Sequence, residues 1–136
     1  MKHPNVVQLL YCFHDPKHLY FGLDLAPNGE LHHFIHRKRL KDSDIEFIAA
    51  EILNCLQYFT SAGIVHRDIK PSNILFSEEM HIKIADFGAA RYLKLLEKES
   101  LNGTPQYLSP EMVSHQLSGP AQDLWALGVV IYIMFT

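Results

Sequence analysis

Four polar residues in the middle of the chain have the types and spacing that phosphoryl transfer requires. Asp68, Lys70 and Asn73 stand close together in the sequence, and Asp86 follows further along. Phosphoryl transfer depends on position and charge neutralisation: a carboxylate accepts the proton of the incoming hydroxyl, and a cation approaches the transferred phosphate. Asp68 suits the first task, and Lys70, two residues on in an extended loop, suits the second. Asn73 and Asp86 offer the hard oxygen ligands that Mg²⁺ prefers.

These residues stand in two short motifs. Residues 66–68 read His-Arg-Asp with Asn73 five positions after the aspartate, and residues 86–88 read Asp-Phe-Gly. Either triplet alone is a weak signal, but the two in this register form a strong joint signal. The alternative is a set of surface loops whose polar side chains satisfy local backbone groups. Because that alternative must account for every match at once, we favour the catalytic interpretation.

The elements that must position these side chains begin with a predicted β-hairpin. Residues 6–13 and 19–25 are rich in β-branched, aromatic and leucine residues, and residues 14–17 supply turn chemistry between them. A lone hairpin is marginal in water, so we expect it to pack on further strands. Residues 26–29 contain proline and glycine and predict a short connector.

A helical body is predicted after the connector. Residues 30–39 predict a polar, histidine-rich helix, and a capping signature at Ser43 and Glu46 predicts the start of a longer one. Gly63 is placed to end that helix. Between these positions, apolar residues recur at helical spacing, namely Ile45, Ile48, Ala49, Ile52, Leu56 and Phe59.

Two short strands and a final helix complete the predicted elements. Residues 74–76 and 82–85 are short apolar runs joined by a turn at residues 77–80. Residues 124–135 are almost wholly apolar and predict a buried helix. A bilayer span needs about 20 such residues, so this segment is too short to cross a membrane.

The composition limits the classes of function. Of the 136 residues, 48% are hydrophobic and 20% charged, with a formal net charge of −3, which is typical of a soluble globular domain. A slightly acidic chain is a poor candidate for nucleic-acid binding, which leaves a footprint of clustered Lys and Arg. Cys12 and Cys55 lack the spacing of a zinc knuckle or a disulfide framework. We therefore expect a reducing compartment, the cytoplasm.

The motifs together resemble those of a protein kinase, and the resemblance covers essentially the whole chain. Residues 28–31 (NGEL), 81–90 (HIKIADFGAA), 103–111 (GTPQYLSPE) and 123–132 (DLWALGVVIY) are similar to segments of the AGC group of kinases, and within it of the phosphoinositide-dependent branch. Lys70 after the catalytic aspartate, with Thr104, resembles the serine/threonine branch.

The resemblance implies an α+β, protein-kinase-like two-lobe fold. Residues 1–25 would be the remnant of the N-lobe, the hairpin that ends its sheet. Residues 26–29 would be the hinge region, and residues 30–136 a partial C-lobe, the first half of its helical part. The family's Gly-rich phosphate loop and third-strand lysine have no counterpart in these residues. We therefore expect a truncated catalytic domain, a fragment that is inactive by itself.

The implied activity is transfer of the γ-phosphate of ATP to serine or threonine of protein substrates, other kinases among them. ATP and Mg²⁺ are the implied cofactors, and membrane recruitment would occur only through domains outside this sequence. The alternative is a non-catalytic binding module or pseudokinase derived from a kinase. Intact residues at positions 68, 70, 73 and 86 disfavour that alternative.

By the same resemblance, the hinge region binds the adenine of ATP. Leu23 would be the gatekeeper, and the backbone from Asp24 to Ala26 would hydrogen-bond the adenine edge. Glu30 would reach the ribose, and Leu75 would pack beneath the adenine ring.

The resemblance also implies an activation segment and a set of structural residues. Arg67 and Arg91 would pair with a phosphate on Ser100, because guanidinium groups match phosphate oxygens. An ordinary solvated loop serine explains Ser100 about equally well. The other implied members are Thr104 and Glu111 in the activation segment, with Glu111 paired to an arginine outside this sequence, and His66, Phe87 and Asp123 as structural residues of the catalytic centre.

Overall fold

The computed structural model describes residues 2–37, 40–95, 103–114 and 119–136. The strands are β1 (Leu9–His14), β2 (Leu19–Leu23), β3 (Ile64–Val65), β4 (Ile74–Phe76), β5 (Ile82–Ile84) and β6 (Arg91–Tyr92). The helices are α1 (Leu31–Arg37), α2 (Asp42–Ser61), α3 (Pro110–Val113) and α4 (Ala121–Phe135), with short 3₁₀ turns at Pro71–Asn73, Leu93–Leu95 and Pro105–Tyr107. The strands form three antiparallel pairs, β1–β2, β3–β6 and β4–β5. This α+β arrangement confirms the predicted fold class.

The predicted hairpin is present, but its first strand starts later than the sequence indicates. β1 begins at Leu9, whereas Val6 forms an isolated parallel bridge with Ile84 of β5. Val6 is 1% exposed, so its apolar character reflects packing against the β4–β5 pair and not membership of the hairpin. The segment before β1 thus ties the hairpin to the helical body.

Helix α2 supplies the centre of the core. Five of its six predicted apolar positions are buried with Cys55, which confirms the helical spacing; Ala49 is half-buried. The predicted cap at Ser43 and Glu46 is wrong. The helix begins at Asp42, and the Asp44 carboxylate accepts the Lys41 backbone N–H at 3.1 Å, because an acidic residue in the first turn can reach back to that donor. Gly63, at φ +69°, ends the helix as predicted.

The remaining core comes from the β4–β5 pair and α4. Alternate residues of the two strands are buried, which leaves Leu75 and Lys83 together on the other face. Helix α4 packs on α2 through one face only, so the prediction of a buried helix holds for that face. Leu124, Trp125 and Tyr132 are exposed on the opposite side. None of the helices in the described ranges has the length and apolarity of a membrane span.

Candidate active site

The loop that carries the His-Arg-Asp motif is anchored by an aspartate from a distant helix. Asp123, in the first turn of α4, accepts the backbone N–H groups of His66 and Arg67, each at 2.8 Å. Arg67 has φ +73°, a left-handed conformation that costs a non-glycine residue free energy. The two hydrogen bonds from Asp123 hold the loop in that conformation.

The charge of Asp123 is costly in this position. The residue is 4% exposed, and burial raises its pKa to about 6, against the lowering effect of the two backbone hydrogen bonds and the Arg67 charge. The Asp123 carboxylate therefore loses solvation on folding, and the two hydrogen bonds that it accepts fix the geometry of the loop.

Asp68 lies at the centre of a cluster of hydrogen bonds. Its Oδ2 is 2.7 Å from Lys70 Nζ, and its Oδ1 accepts the Thr104 hydroxyl at 2.8 Å and the Thr104 backbone N–H at 3.2 Å. Lys70 Nζ also donates to the Thr104 hydroxyl at 2.8 Å. Asn73 Nδ2 completes the cluster by donating to Asp68 Oδ2 at 3.0 Å.

These contacts keep Asp68 ionised. Burial by itself would raise the pKa of Asp68, but hydrogen bonds from Lys70, Thr104 and Asn73, together with the lysine charge, outweigh it. The net effect is a pKa below the ordinary value of an aspartate. The site therefore presents a carboxylate beside a cation, with the Asp68 side chain 12% exposed.

The second motif reaches the cluster through the backbone. Ala85 N–H donates to the Asn73 carbonyl at 2.9 Å, which fixes the segment just before Asp86. Asp86 is exposed, has φ +59°, and accepts the Gly88 N–H at 3.1 Å. Within the described ranges no hydrogen bond joins Asp86 to Asp68, Lys70 or Asn73. The structure thus brings the first three predicted residues into contact and ties the segment just before the fourth to Asn73.

The side-chain oxygen atoms of Asn73 and Asp86 are of the type that binds a hard divalent cation. Because Asn73 donates through Nδ2 to the Asp68 carbonyl and carboxylate, its Oδ1 would be the atom that binds a cation, and the exposed Asp86 carboxylate would supply a second oxygen. No group of three or more His, Cys, Asp or Glu side chains in the described part of the chain could hold a metal. A cation here would complete its shell with phosphate oxygens and water, as Mg²⁺ commonly does.

Three aromatic rings, two of them from the two motifs themselves, pack against one another. The His66 and Phe87 ring centroids lie 4.9 Å apart, and Phe59 of α2 lies 5.5 Å from Phe87. Burial lowers the pKa of His66, so its ring is neutral; Nε2 faces the Ala85 carbonyl at 3.1 Å, and Nδ1 accepts the Asp68 N–H at 3.3 Å. Helical periodicity placed Phe59 in the core, but nothing in the sequence indicated its contact with the site.

Residues 24–29 combine the predicted adenine-edge residues with the hinge region and form the hinge, which contacts the body of the domain through Asp24. Its N–H donates to the Gln8 carbonyl at 3.0 Å, while its carboxylate accepts the Gln8 N–H at 2.8 Å and contacts Lys83 Nζ at 2.6 Å. Glu30 is held by a backbone bridge to Leu75. Nothing in the sequence pattern indicated that Lys83 belongs to this region.

One cleft connects the predicted gatekeeper with the Asp-Phe-Gly motif. It has a volume of about 770 Å³, and its walls include Leu23 of β2 together with Asp86 and Phe87. Ala26, the first residue of the predicted hinge region, accepts the Gly29 N–H at 3.4 Å. Leu23 and the second motif therefore face a shared space large enough for a small-molecule ligand, and its walls do not include the predicted adenine-edge residues from Asp24 to Ala26.

The two arginines predicted to bind phosphate interact electrostatically. Burial and then the charge of Arg91 lower the pKa of the Arg67 guanidinium, whereas the charge of Asp123 raises it. Ser100 lies outside the described residues, and its predicted phosphorylation stays a prediction. Glu111 is half-buried in α3 and forms no salt bridge within the described ranges.

Comparison with known proteins places this geometry in context. The family model described as protein kinase domain matches residues 1–136. The chain is 43% identical to the serine/threonine-protein kinase ppk21 of Schizosaccharomyces pombe, 44% identical to human 3-phosphoinositide-dependent protein kinase 1, and 42% identical to the serine/threonine-protein kinase PLK4 of Drosophila virilis. The alignments cover 96%, 97% and 98% of this chain but 26%, 25% and 18% of the relatives. The chain thus spans about a quarter or less of their length.

Proposed function

This chain belongs to the protein kinase family, and from that premise we propose that it carries the catalytic loop of a serine/threonine protein kinase. The reaction would transfer the γ-phosphate of ATP to a serine or threonine hydroxyl of a protein substrate. The observation that carries this proposal is the cluster in which Lys70 and Thr104 both contact the Asp68 carboxylate. A carboxylate that stays ionised beside a cation, in a loop of this motif, suits the orientation of a substrate hydroxyl beside a phosphate.

In the proposed mechanism, Asp68 orients the substrate hydroxyl and accepts its proton. A new bond forms between the hydroxyl oxygen and the γ-phosphorus, while the bond from that phosphorus to the oxygen of ADP breaks. Lys70 Nζ lies 2.7 Å from Asp68 Oδ2, so the lysine ammonium would neutralise charge on the phosphoryl group that is transferred next to Asp68. Thr104 keeps both side chains in place through its hydroxyl.

Protein kinases generally use Mg²⁺ with ATP, and the donors at Asn73 and Asp86 fit that cation. The bound cation would supply charge neutralisation on the phosphates. In this chain, Asn73 would hold its oxygen ligand through the hydrogen bonds of its Nδ2 to Asp68, and Asp86 would contribute its exposed carboxylate.

We propose that the hinge binds the adenine edge through two backbone groups. The Asp24 N–H is engaged with Gln8 and the Ala26 carbonyl with Gly29, which leaves the Asp24 carbonyl and the Ala26 N–H for the base. Leu75, held against Glu30, would form the floor beneath the ring. A cytoplasmic location is part of the proposal, because Cys12 and Cys55 are both free thiols.

A phosphotransfer assay on the full protein that contains this chain tests the proposal. Asp68→Asn should abolish transfer to a generic serine/threonine substrate while Mg²⁺–ATP binding persists. Asp15→Asn, at the exposed hairpin tip, is a matched control because Asp15 also accepts several hydrogen bonds and should leave transfer unchanged. Wild-type protein that binds nucleotide without turnover would indicate the non-catalytic binding module, and Asp68→Asn protein with full activity would refute the assignment of Asp68.

A further inference from the structure

A short ion pair joins the hinge to the strand beneath the proposed nucleotide site. Lys83 Nζ of β5 lies 2.6 Å from Asp24 Oδ2, and the other Asp24 oxygen accepts the Gln8 N–H at 2.8 Å. Lys83 also donates to the Pro4 carbonyl at 3.3 Å. Three segments that are distant in the sequence, before β1, after β2 and in β5, therefore meet at one lysine.

The position of Lys83 relates this contact to the adenine floor. Lys83 pairs directly with Leu75 across the β4–β5 ladder, and residues that face each other across a ladder lie on the same side of the sheet. Ile82 and Ile84, its neighbours in β5, are buried on the opposite side. Lys83 thus extends from the same face as Leu75 and reaches the hinge beside it.

We infer that the Asp24–Lys83 ion pair is a hinge latch, in which Lys83 acts as a positioning residue that aims the Asp24 carbonyl at the adenine edge. This inference rests on the proposed function. The Asp24 residue is fixed by its N–H, by both carboxylate oxygens and by the chain itself. Its carbonyl is the one polar group of the residue that these contacts leave for a ligand, and its direction follows from theirs.

Partial burial of the Asp24–Lys83 ion pair raises the cost of removing either charge alone. The Lys83 and Asp24 side chains are 16% and 24% exposed. Removing one charge from a partly buried pair leaves the other without its partner, whereas removing both charges together is far less costly to folding. Stability and positioning can therefore be separated by comparing the single and double variants.

The test measures adenosine and Mg²⁺–ATP binding by the full protein. Lys83→Met should raise the dissociation constants of both ligands by the same factor, about fivefold or more, because the loss lies at the adenine edge and not at the phosphates. Lys83→Arg, which keeps the charge, should bind both nearly as wild type does. The Asp24→Asn/Lys83→Met double variant should recover thermal stability yet keep the weakened affinity, a result that a purely structural role would not produce.

A second side-chain contact, at the residue just before the same strand, provides a matched control. His81 Nδ1 lies 2.6 Å from Glu51 Oε1, and this pair fastens the start of β5 to α2 without touching the hinge. Glu51→Gln should lower stability without changing adenosine affinity. Loss of affinity in Glu51→Gln equal to that in Lys83→Met would show that the latch has no special role.

Each result decides one of the two proposals. If wild-type protein binds neither adenosine nor Mg²⁺–ATP, the proposed function fails, and amide hydrogen exchange still tests the latch: exchange at residues 25 and 26 should accelerate in Lys83→Met. Unchanged exchange there, or wild-type adenosine affinity in a folded Lys83→Met or double variant, overturns the latch.

Discussion

The Asp123 carboxylate accepts the backbone N–H of His66 at 2.8 Å, although 57 positions separate the two residues in the chain. Its second oxygen takes the next N–H, that of Arg67, at the same distance. One side chain on α4 therefore sets the direction in which the loop of the His-Arg-Asp motif leaves β3. Because Asp68 follows directly, the placement of the proposed base depends on a residue of a helix that is distant in the sequence.

Asp123→Asn should lower the stability of the protein. An asparagine has a single side-chain oxygen, so one of the two buried backbone N–H groups loses its acceptor and faces an amide donor. We expect a loss of about 1–3 kcal/mol in the free energy of unfolding at acid pH, measured by urea denaturation. Asp42→Asn, an exposed substitution in the first turn of α2, should change it by less than about 0.5 kcal/mol.

The same variant should change the pH dependence of stability. The pKa of Asp123 in the folded protein, about 6, is above the ordinary aspartate value of 3.8, so between these two pH values the folded state holds a proton that the unfolded state releases. The contribution of Asp123 is therefore complete below about pH 4 and is lost as the pH rises to about 6. The stability difference between wild type and Asp123→Asn should narrow across that interval. A difference that stays constant or widens would contradict the raised pKa.

The local parts of the site could be predicted from the sequence, and the long-range parts could not. Asp68, Lys70 and Asn73 lie within one short loop, so the chain itself keeps them close, and their motif led to the proposed chemistry. Asp24 and Lys83 are 59 positions apart, and in the sequence each looks like an ordinary charged surface residue. Only the packing of the hinge against β5 reveals them as partners.

The errors of local prediction have a similar origin. The Val6 side chain suited a strand, yet it packs on β5 and leaves β1 to begin at Leu9. At the start of α2, Ser43 was a plausible cap, but the Asp44 carboxylate accepts the backbone N–H of Lys41 instead. In both cases several residues satisfied the same pattern, and tertiary contacts or a stronger acceptor chose among them.

Lys70→Met should slow phosphotransfer and alter its pH profile. The lysine contributes a hydrogen bond and a positive charge that lower the pKa of Asp68, so the variant's Asp68 should stay protonated to higher pH. We expect the acid limb of the kcat profile to move to higher pH and kcat to fall by about a hundredfold or more, from steady-state kinetics on the full protein. Lys17→Met in the exposed hairpin turn should leave both unchanged. An acid limb that does not move would argue against Asp68 as the base.

Phe59→Ala should destabilise the domain more than any exposed aromatic substitution. Phe59 is 1% exposed, and its ring contacts both His66 and Phe87, so alanine would leave a cavity beneath both motifs. We expect a loss of about 3–5 kcal/mol in urea denaturation. Phe47→Ala is the matched control on the same helix, since Phe47 is 47% exposed. Equal losses in the two variants would show that the ring cluster does not stabilise the site.

Gly103→Ala should impair catalysis by moving Thr104 away from Asp68. Gly103 has φ +130°, and a Cβ there would lie 2.9 Å from the Arg67 carbonyl oxygen, so the backbone on one side must shift. Thr104 follows directly and makes two hydrogen bonds to Asp68, and a shift of about 1 Å at such a site can cost a hundredfold in rate. We expect kcat to fall at least about tenfold. Gly119→Ala, where a Cβ meets no atom within 4 Å, should retain the wild-type kcat, and a Gly103→Ala enzyme as active as that control would separate Thr104 from the function of Asp68.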